Sequence, residues 1–190
     1  MTAYRLWCVT ALACCLFVVS TAVQAEEPRV VELQDLKLTI PAEWKSMQPS
    51  SRLRLAEFAI PSAEGDTETS ELVVFPPFGG SVEQNVSRWV TQFEGEGRQV
   101  KMRKGASTHG DYVLVDMQGT YKKPVGPPIQ GRTAPVENYR MLAVILMVEG
   151  KGNYFLKVTG PQKTVAGVVD AFRTSFGADK EKEVDYELSN

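Results

Sequence analysis

The chain has 190 residues, 43% of them apolar and 23% charged, with 8 Phe, 6 Tyr and 3 Trp. That length suits one domain, and that balance supplies a core, so disorder as the overall state is excluded. A formal charge of −2 lacks the basic footprint of a nucleic-acid binder, and one His with three Cys leaves little material for metal or thiol chemistry.

Cys8, Cys14 and Cys15 all lie at the N-terminus, in a segment with one early cation, Arg5, and an apolar run over residues 6–19. Val23 and Ala25 are small enough for processing after Ala25, so residues 1–25 read as a signal peptide and the chain as exported, to a periplasm or to the medium. An uncleaved N-terminal anchor is the alternative. A lipobox around Leu12, Ala13, Cys14 and Cys15 fits less well, because cleavage there leaves an apolar stretch at the new N-terminus. Cleavage after Ala25 removes every cysteine and one cation, which takes the formal charge from −2 to −3 and leaves a domain without disulfides or a membrane span.

In the remaining chain, Leu36, Leu38 and Ile40 alternate with polar neighbours as a half-buried strand ended by Pro41. A second strand covers residues 53–60. Its apolar phase changes between Leu55 and Phe58, which predicts burial on both faces or a bulge. A third covers residues 71–75. Ser81 opens a helix with Gln84 three residues on as a capping box, and Val82, Val86, Trp89, Val90 and Phe93 share one face. Strands over residues 99–107 and 112–121 follow, joined by a turn at His109, Gly110 and Asp111.

Residues 122–138 contain Pro124, Pro127, Pro128 and Pro135, which argue against ladder pairing and predict the longest loop of the chain. Loops of that length inside a domain are usually functional or disordered, which makes this one a candidate site. Residues 141–148 form an apolar run of strand length, read as a central strand covered on both faces. A turn leads back into a strand over residues 154–159. Pro161 then opens a final helix whose apolar face is Val165, Val168, Val169, Phe172 and Phe176, ended by Gly177. Residues 178–190, with five acidic and two basic side chains, read as a charged flexible tail beyond a single globular domain over residues 26–177.

The segment Ile40-Pro41 with Trp44, the run Arg54-Leu55-Ala56-Glu57-Phe58, and Tyr154-Phe155-Leu156-Lys157 leading through Gly160-Pro161 to Phe172 and Ser175-Phe176 resemble the PsbP-like family, whose fold is shared by the Mog-type Ran-binding proteins. The chain is also similar to small exported bacterial proteins. The family resemblance implies an α+β fold, a central antiparallel sheet flanked by two main helices, used for binding or assembly instead of catalysis. It covers roughly residues 36–177. The proline-rich segment lies outside its pattern, and no histidine set exists to carry over.

Chemistry-bearing clusters are sparse. His109 is the single imidazole and sits in a turn. Neither a Gly-x-Ser-x-Gly elbow nor a Ser-x-x-Lys sequence occurs, and Gly79-Gly80-Ser81 lacks the lysine of a phosphate loop. Glu64, Asp66, Glu68 and Glu71 lack EF-hand spacing and read as a solvated acidic loop. No catalytic, cofactor or metal residue is therefore assigned. The binding candidates are Trp44 after its proline and, around the stiff segment, Tyr121, Lys122, Lys123, Arg132 and Tyr139, whose cations and phenols suit an anionic ligand or a protein partner. The expected function is an exported non-enzymatic binding or assembly module. The alternatives are a hydrolase with dispersed carboxylates and an anchored envelope protein.

Overall fold

The computed structural model describes residues 27–188; the expected signal peptide and its three cysteines lie outside the described residues. Arg29–Leu33 (β1) and Leu36–Ile40 (β2) form a two-stranded antiparallel ribbon, β2 with Leu36, Leu38 and Ile40 inward. The other strands make one eight-stranded antiparallel sheet: Lys45–Met47 (β3), Ala56–Ile60 (β4), Ser70–Phe75 (β5), Gln99–Ser107 (β6), Gly110–Pro124 (β7), Thr133–Val148 (β8), Gly152–Pro161 (β9) and Val184–Asp185 (β10). Their spatial order is β10-β6-β7-β8-β9-β5-β4-β3. Three short helices complete an α+β domain: Val82–Val90 (α1), Gln162–Gly167 (α2) and Val169–Ser175 (α3).

Strand alternation sorts the side chains of the central strands onto two faces. One face carries Phe58, Leu72, Leu114, Leu142, Val144, Leu156 and Val158, and is sealed by Val165 of α2, Phe172 of α3 and Phe176 just after it, together with the β1–β2 ribbon. Arg29 fastens that ribbon to the sheet by donating to the carbonyls of Pro41, Ala42 and Trp44. The other face carries Val113, Val115, Met117, Met141, Ala143, Ile145 and Phe155 under α1. The expected capping box is present, with Gln84 N–H donating to Ser81 Oγ at 3.2 Å and Ser81 N–H to Gln84 Oε1 at 3.0 Å. Helix α1 covers β7, β8 and part of β9. No side chain of β3 or β4 belongs to the core beneath it.

Three expectations are corrected. Residues 122–138 are not one long loop: β7 and β8 continue as a paired hairpin, with Tyr121 opposite Val136, Lys122 opposite Pro135 and Pro124 opposite Thr133, past a register shift between Gly119 and Tyr121. The prolines are tolerated because of their register. Lys122 N–H points away from β8 and donates to Gln92 O at 2.8 Å, so Lys122 and Pro135 form a pair that exchanges no hydrogen bonds. Pro124 lies two residues on, in the same phase, and its missing N–H faces outward as well. Only residues 125–132 remain as the connection, with a 3₁₀ turn at Pro128–Gln130.

The single C-terminal helix is instead two, broken where Val168 adopts φ −112° and ψ 7° after Gly167. The end at Gly177 holds, with φ +70° in the region glycine favours. Residues 178–188 are not a free tail. They run beside β6, where Val184 pairs with Lys104 and Asp185 with Arg103, and Tyr186 and Leu188 pack onto the core under α1. Glu183 anchors them: its buried carboxylate accepts from Arg173 Nε at 2.7 Å, Arg173 Nη2 at 2.9 Å and Tyr112 OH at 2.8 Å.

Candidate functional site

Because α1 covers only part of its face, β9, β5 and β4 form the floor of a cleft. Its walls are α1 on one side and the root of the β7–β8 hairpin on the other, tied together by the Lys122–Gln92 bond, a Glu94 N–H to Thr120 O bond of 2.9 Å and a bridge between Phe93 and Tyr121. The segment before β4, with Leu53 and Arg54, closes a third side. The cleft has two lobes that share Gln92 and Lys157.

The first lobe, about 460 Å³, is aromatic. Phe78 stacks near Phe155, Trp89 meets Phe155 edge-on and Phe75 tilts against Phe78, each pair with ring centroids 6.0 Å apart. Trp89 is thus both core and lobe wall. Arg88 stands at the rim and donates to Asn85 Oδ1 at 2.6 Å.

The second lobe, about 590 Å³, is polar. Tyr121 and Tyr139 stack with centroids 5.5 Å apart and planes 2° from parallel. Burial pushes the Tyr121 phenol up to about 12, so it stays protonated. Lys123 Nζ donates to Glu68 Oε2 at 2.7 Å and to Tyr139 OH at 3.3 Å, and Tyr139 OH donates to the same Glu68 oxygen. Those bonds hold the Glu68 carboxyl below its ordinary range and the Lys123 ammonium above its own. Arg54 Nη1 reaches Glu57 at 3.0 Å and Glu71 at 4.0 Å.

Lys157 stands on the floor where the lobes meet. On β9 it shares a face with Phe155 and Thr159, and its ammonium is deeply enclosed although the side chain keeps some exposure to the cleft. Burial pushes it down to about 8, with Glu71 opposing and Arg54 and Arg88 adding to the fall. Its hydrogen bond is a long one, 3.4 Å to Gln92 Oε1, and it has no ion-pair partner among the described residues. Thr159, 6% exposed, buries a hydroxyl without any partner in the same lobe. A buried polar group left unmet costs free energy that a bound group can recover.

Of the sequence candidates, the cleft brings together Tyr121, Lys123 and Tyr139. Lys122 points the other way, its Nζ donating to Thr91 O at 3.2 Å. Arg132 sits on the hairpin connection near Gly126, away from the cleft lining. Trp44 is corrected: it lines no open pocket but is wholly buried on the sealed face, where the turn after Pro41 folds its ring under the ribbon. His109 Nε2 contacts Lys37 O at 2.9 Å, a structural role. Asp66 caps α2, accepting from Thr164 N–H at 2.9 Å and Thr164 Oγ1 at 2.6 Å, and no cluster of metal-ligating side chains occurs among the described residues. Sequence reasoning missed Lys157. The available signal was a lysine between Leu156 and Val158, in phase with Phe155.

The architecture is thus an α+β domain whose antiparallel sheet is sealed on one face and half-open on the other. No family model matches the chain, and no curated protein matches it. Among solved structures, it is similar to cyanobacterial PsbP (CyanoP) from Synechocystis, at 12% identity over 89% of this chain and 99% of that one, with a TM-score of 0.47.

Proposed function

We propose that this protein is an exported, non-enzymatic binding module that takes its ligand in the half-open cleft. The observation that carries the reading is the Lys157–Thr159 floor, where an enclosed cation without an ion-pair partner among the described residues and a buried hydroxyl without a hydrogen bond both line an open cleft. Trp44 Nε1 and Ser70 Oγ are likewise buried without a partner. Aromatic walls with a few convergent polar groups are the ordinary anatomy of a small-molecule site. Export rests on Arg5, the apolar run that follows and the small residues up to Ala25.

The hydrolase alternative requires two carboxylates in one concavity, and Glu57 and Glu71 do both reach Arg54. Glu57, however, is 4% exposed. Burial pushes its carboxyl up, but Ser50 N–H at 2.7 Å, Ser50 Oγ at 2.8 Å and Arg54 outweigh that and hold it below its ordinary range. A general acid needs the opposite shift. The test uses the protein as its host produces it. N-terminal sequencing should begin near Glu26, and a panel of small metabolites should perturb the amide signals of Gln92, Lys157 and Thr159 saturably while each compound is recovered unchanged. Turnover of any compound would replace the binding reading with an enzymatic one.

A further inference from the structure

We propose that the ligand is an amphipathic carboxylate, an aryl or medium-chain acyl acid, with its tail among Phe75, Phe78 and Trp89 and its carboxylate on Lys157. The inference rests on the cleft being the binding site and adds the chemistry of what it takes.

The lobes meet at Lys157 and Gln92, so a molecule that fills the aromatic lobe and extends beyond it passes the ammonium. Charge complementarity fixes the sign of its head. Four cations line the cleft: Arg54, Arg88, Lys123 and Lys157. Carboxylates already engage Arg54 through Glu57 and Lys123 through Glu68, whereas neither Arg88 nor Lys157 has an ion-pair partner among the described residues. Glu71, the carboxylate of the cleft lining, faces Arg54 at 4.0 Å. An anion at the junction therefore meets unspent positive charge in a site partly shielded from water, where a charge-assisted hydrogen bond is stronger than at the surface.

The donor count favours a carboxylate over a phosphate. Phosphate sites gather several backbone N–H groups or a bidentate arginine fork. Here the floor is made of strands whose backbone is committed to neighbours on both sides, β9 between β8 and β5 and β5 between β9 and β4. At the junction this leaves the Lys157 ammonium, the Thr159 hydroxyl and the Gln92 amide, enough for two carboxylate oxygens. Arg88 stands at the rim of the aromatic lobe with one guanidinium nitrogen engaged by Asn85, and the Tyr121 phenol stands in the polar lobe. The same interior position removes a peptide as the occupant by strand addition, since the floor offers no free edge. A lobe of about 460 Å³ falls within the usual range of small-ligand pockets.

The test compares octanoate with 1-octanol on the full chain, followed by the indole signal of Trp89. Octanoate is expected to bind saturably and about tenfold or more tightly than the alcohol, the margin of a charged hydrogen bond. Lys157→Met and, as a second variant, Lys157→Gln should each reduce octanoate affinity by about tenfold while leaving the alcohol unchanged. Affinity should also fall between about pH 7 and about pH 9.5 as the ammonium, faced by Arg54, Arg88, Glu71, Tyr121 and Lys123, loses its proton. Equal binding of acid and alcohol, or lysine variants with unaltered affinity, would overturn the ligand class. If compounds of another class perturb the cleft while octanoate does not, the carboxylate assignment falls and the binding module stands. If nothing perturbs it, both fall.

Discussion

The two faces of the eight-stranded sheet come from the same strands by simple alternation, yet they are finished differently. On the sealed face, α2, α3 and the β1–β2 ribbon leave Trp44, Phe58, Phe172 and Phe176 at 0–1% exposure, and Ser70 fills the space that a side chain at Gly160 would take. On the other face one nine-residue helix covers β7 and β8, while the floor from β9 to β4 keeps Lys157, Glu71 and the Thr159 hydroxyl beside a cleft. Covering elements are redundant on the sealed face, and the proposed binding cleft lies where one is missing, so that stability and binding would divide by face instead of by loop.

That division can be broken by measurement. Phe172→Ala on the sealed face should destabilise the protein by about 3–5 kcal/mol, the usual cost of emptying a packed aromatic site. A urea midpoint close to that of the parent chain would show that the face is not the main store of stability. Arg173→Ala should cost about 3 kcal/mol, because it leaves the Glu183 carboxylate buried beside Tyr112 without its cation.

The same pair sets an acid dependence. Burial raises the Glu183 pKa, but the Arg173 and Tyr112 hydrogen bonds outweigh it and hold the carboxyl below its ordinary 4.5. Its stabilisation is therefore present above about pH 4.5 and is lost as pH falls through the depressed value, and Glu183→Gln should flatten that part of the acid limb. Gly160→Ala should cost about 1–3 kcal/mol by overpacking against Ser70, read from thermal unfolding.

The smallest expected stability effect lies on the open face, where Lys157→Met should cause no loss of stability. Lys157 has a folded pKa of about 8 against an ordinary 10.5, so between those values the unfolded chain holds the proton more often and stability rises with pH. The methionine variant should lack that rise in denaturant titrations at successive pH values. A variant markedly less stable than the parent at neutral pH would make Lys157 a structural residue and erase the contrast between the faces.

Much of the fold was legible in the sequence because it is local or periodic. Ser81 with Gln84, the helical spacing from Val82 to Phe93 and the apolar run in β8 required no knowledge of partners. The misread elements depend on distant residues. Pro124 and Pro135 excluded pairing only if their nitrogens had to face the neighbouring strand, and the Lys122 N–H, which turns outward to Gln92 in the same phase, shows that they do not. The acidic end looked solvated because Glu183 meets Arg173 and Tyr112 only after the chain turns back along β6. At the site, Tyr121, Lys123 and Tyr139 were legible as cations and phenols flanking a stiff connection. Lys157 was not, because a single strand does not reveal which of its faces a helix leaves bare.

The prolines of the projecting hairpin have one more effect. A two-stranded arm that reaches beyond its sheet presents two raw borders along which another molecule's backbone can zip. Here the outward positions at Pro124 and Pro135 have no N–H to give, and the outward N–H of Lys122 is already spent on Gln92. The arm can wall the cleft with its root, project beyond it and still offer few free N–H groups to fibrous growth, a safeguard suited to a chain that contains no cysteine after residue 15 with which to cross-link its shape.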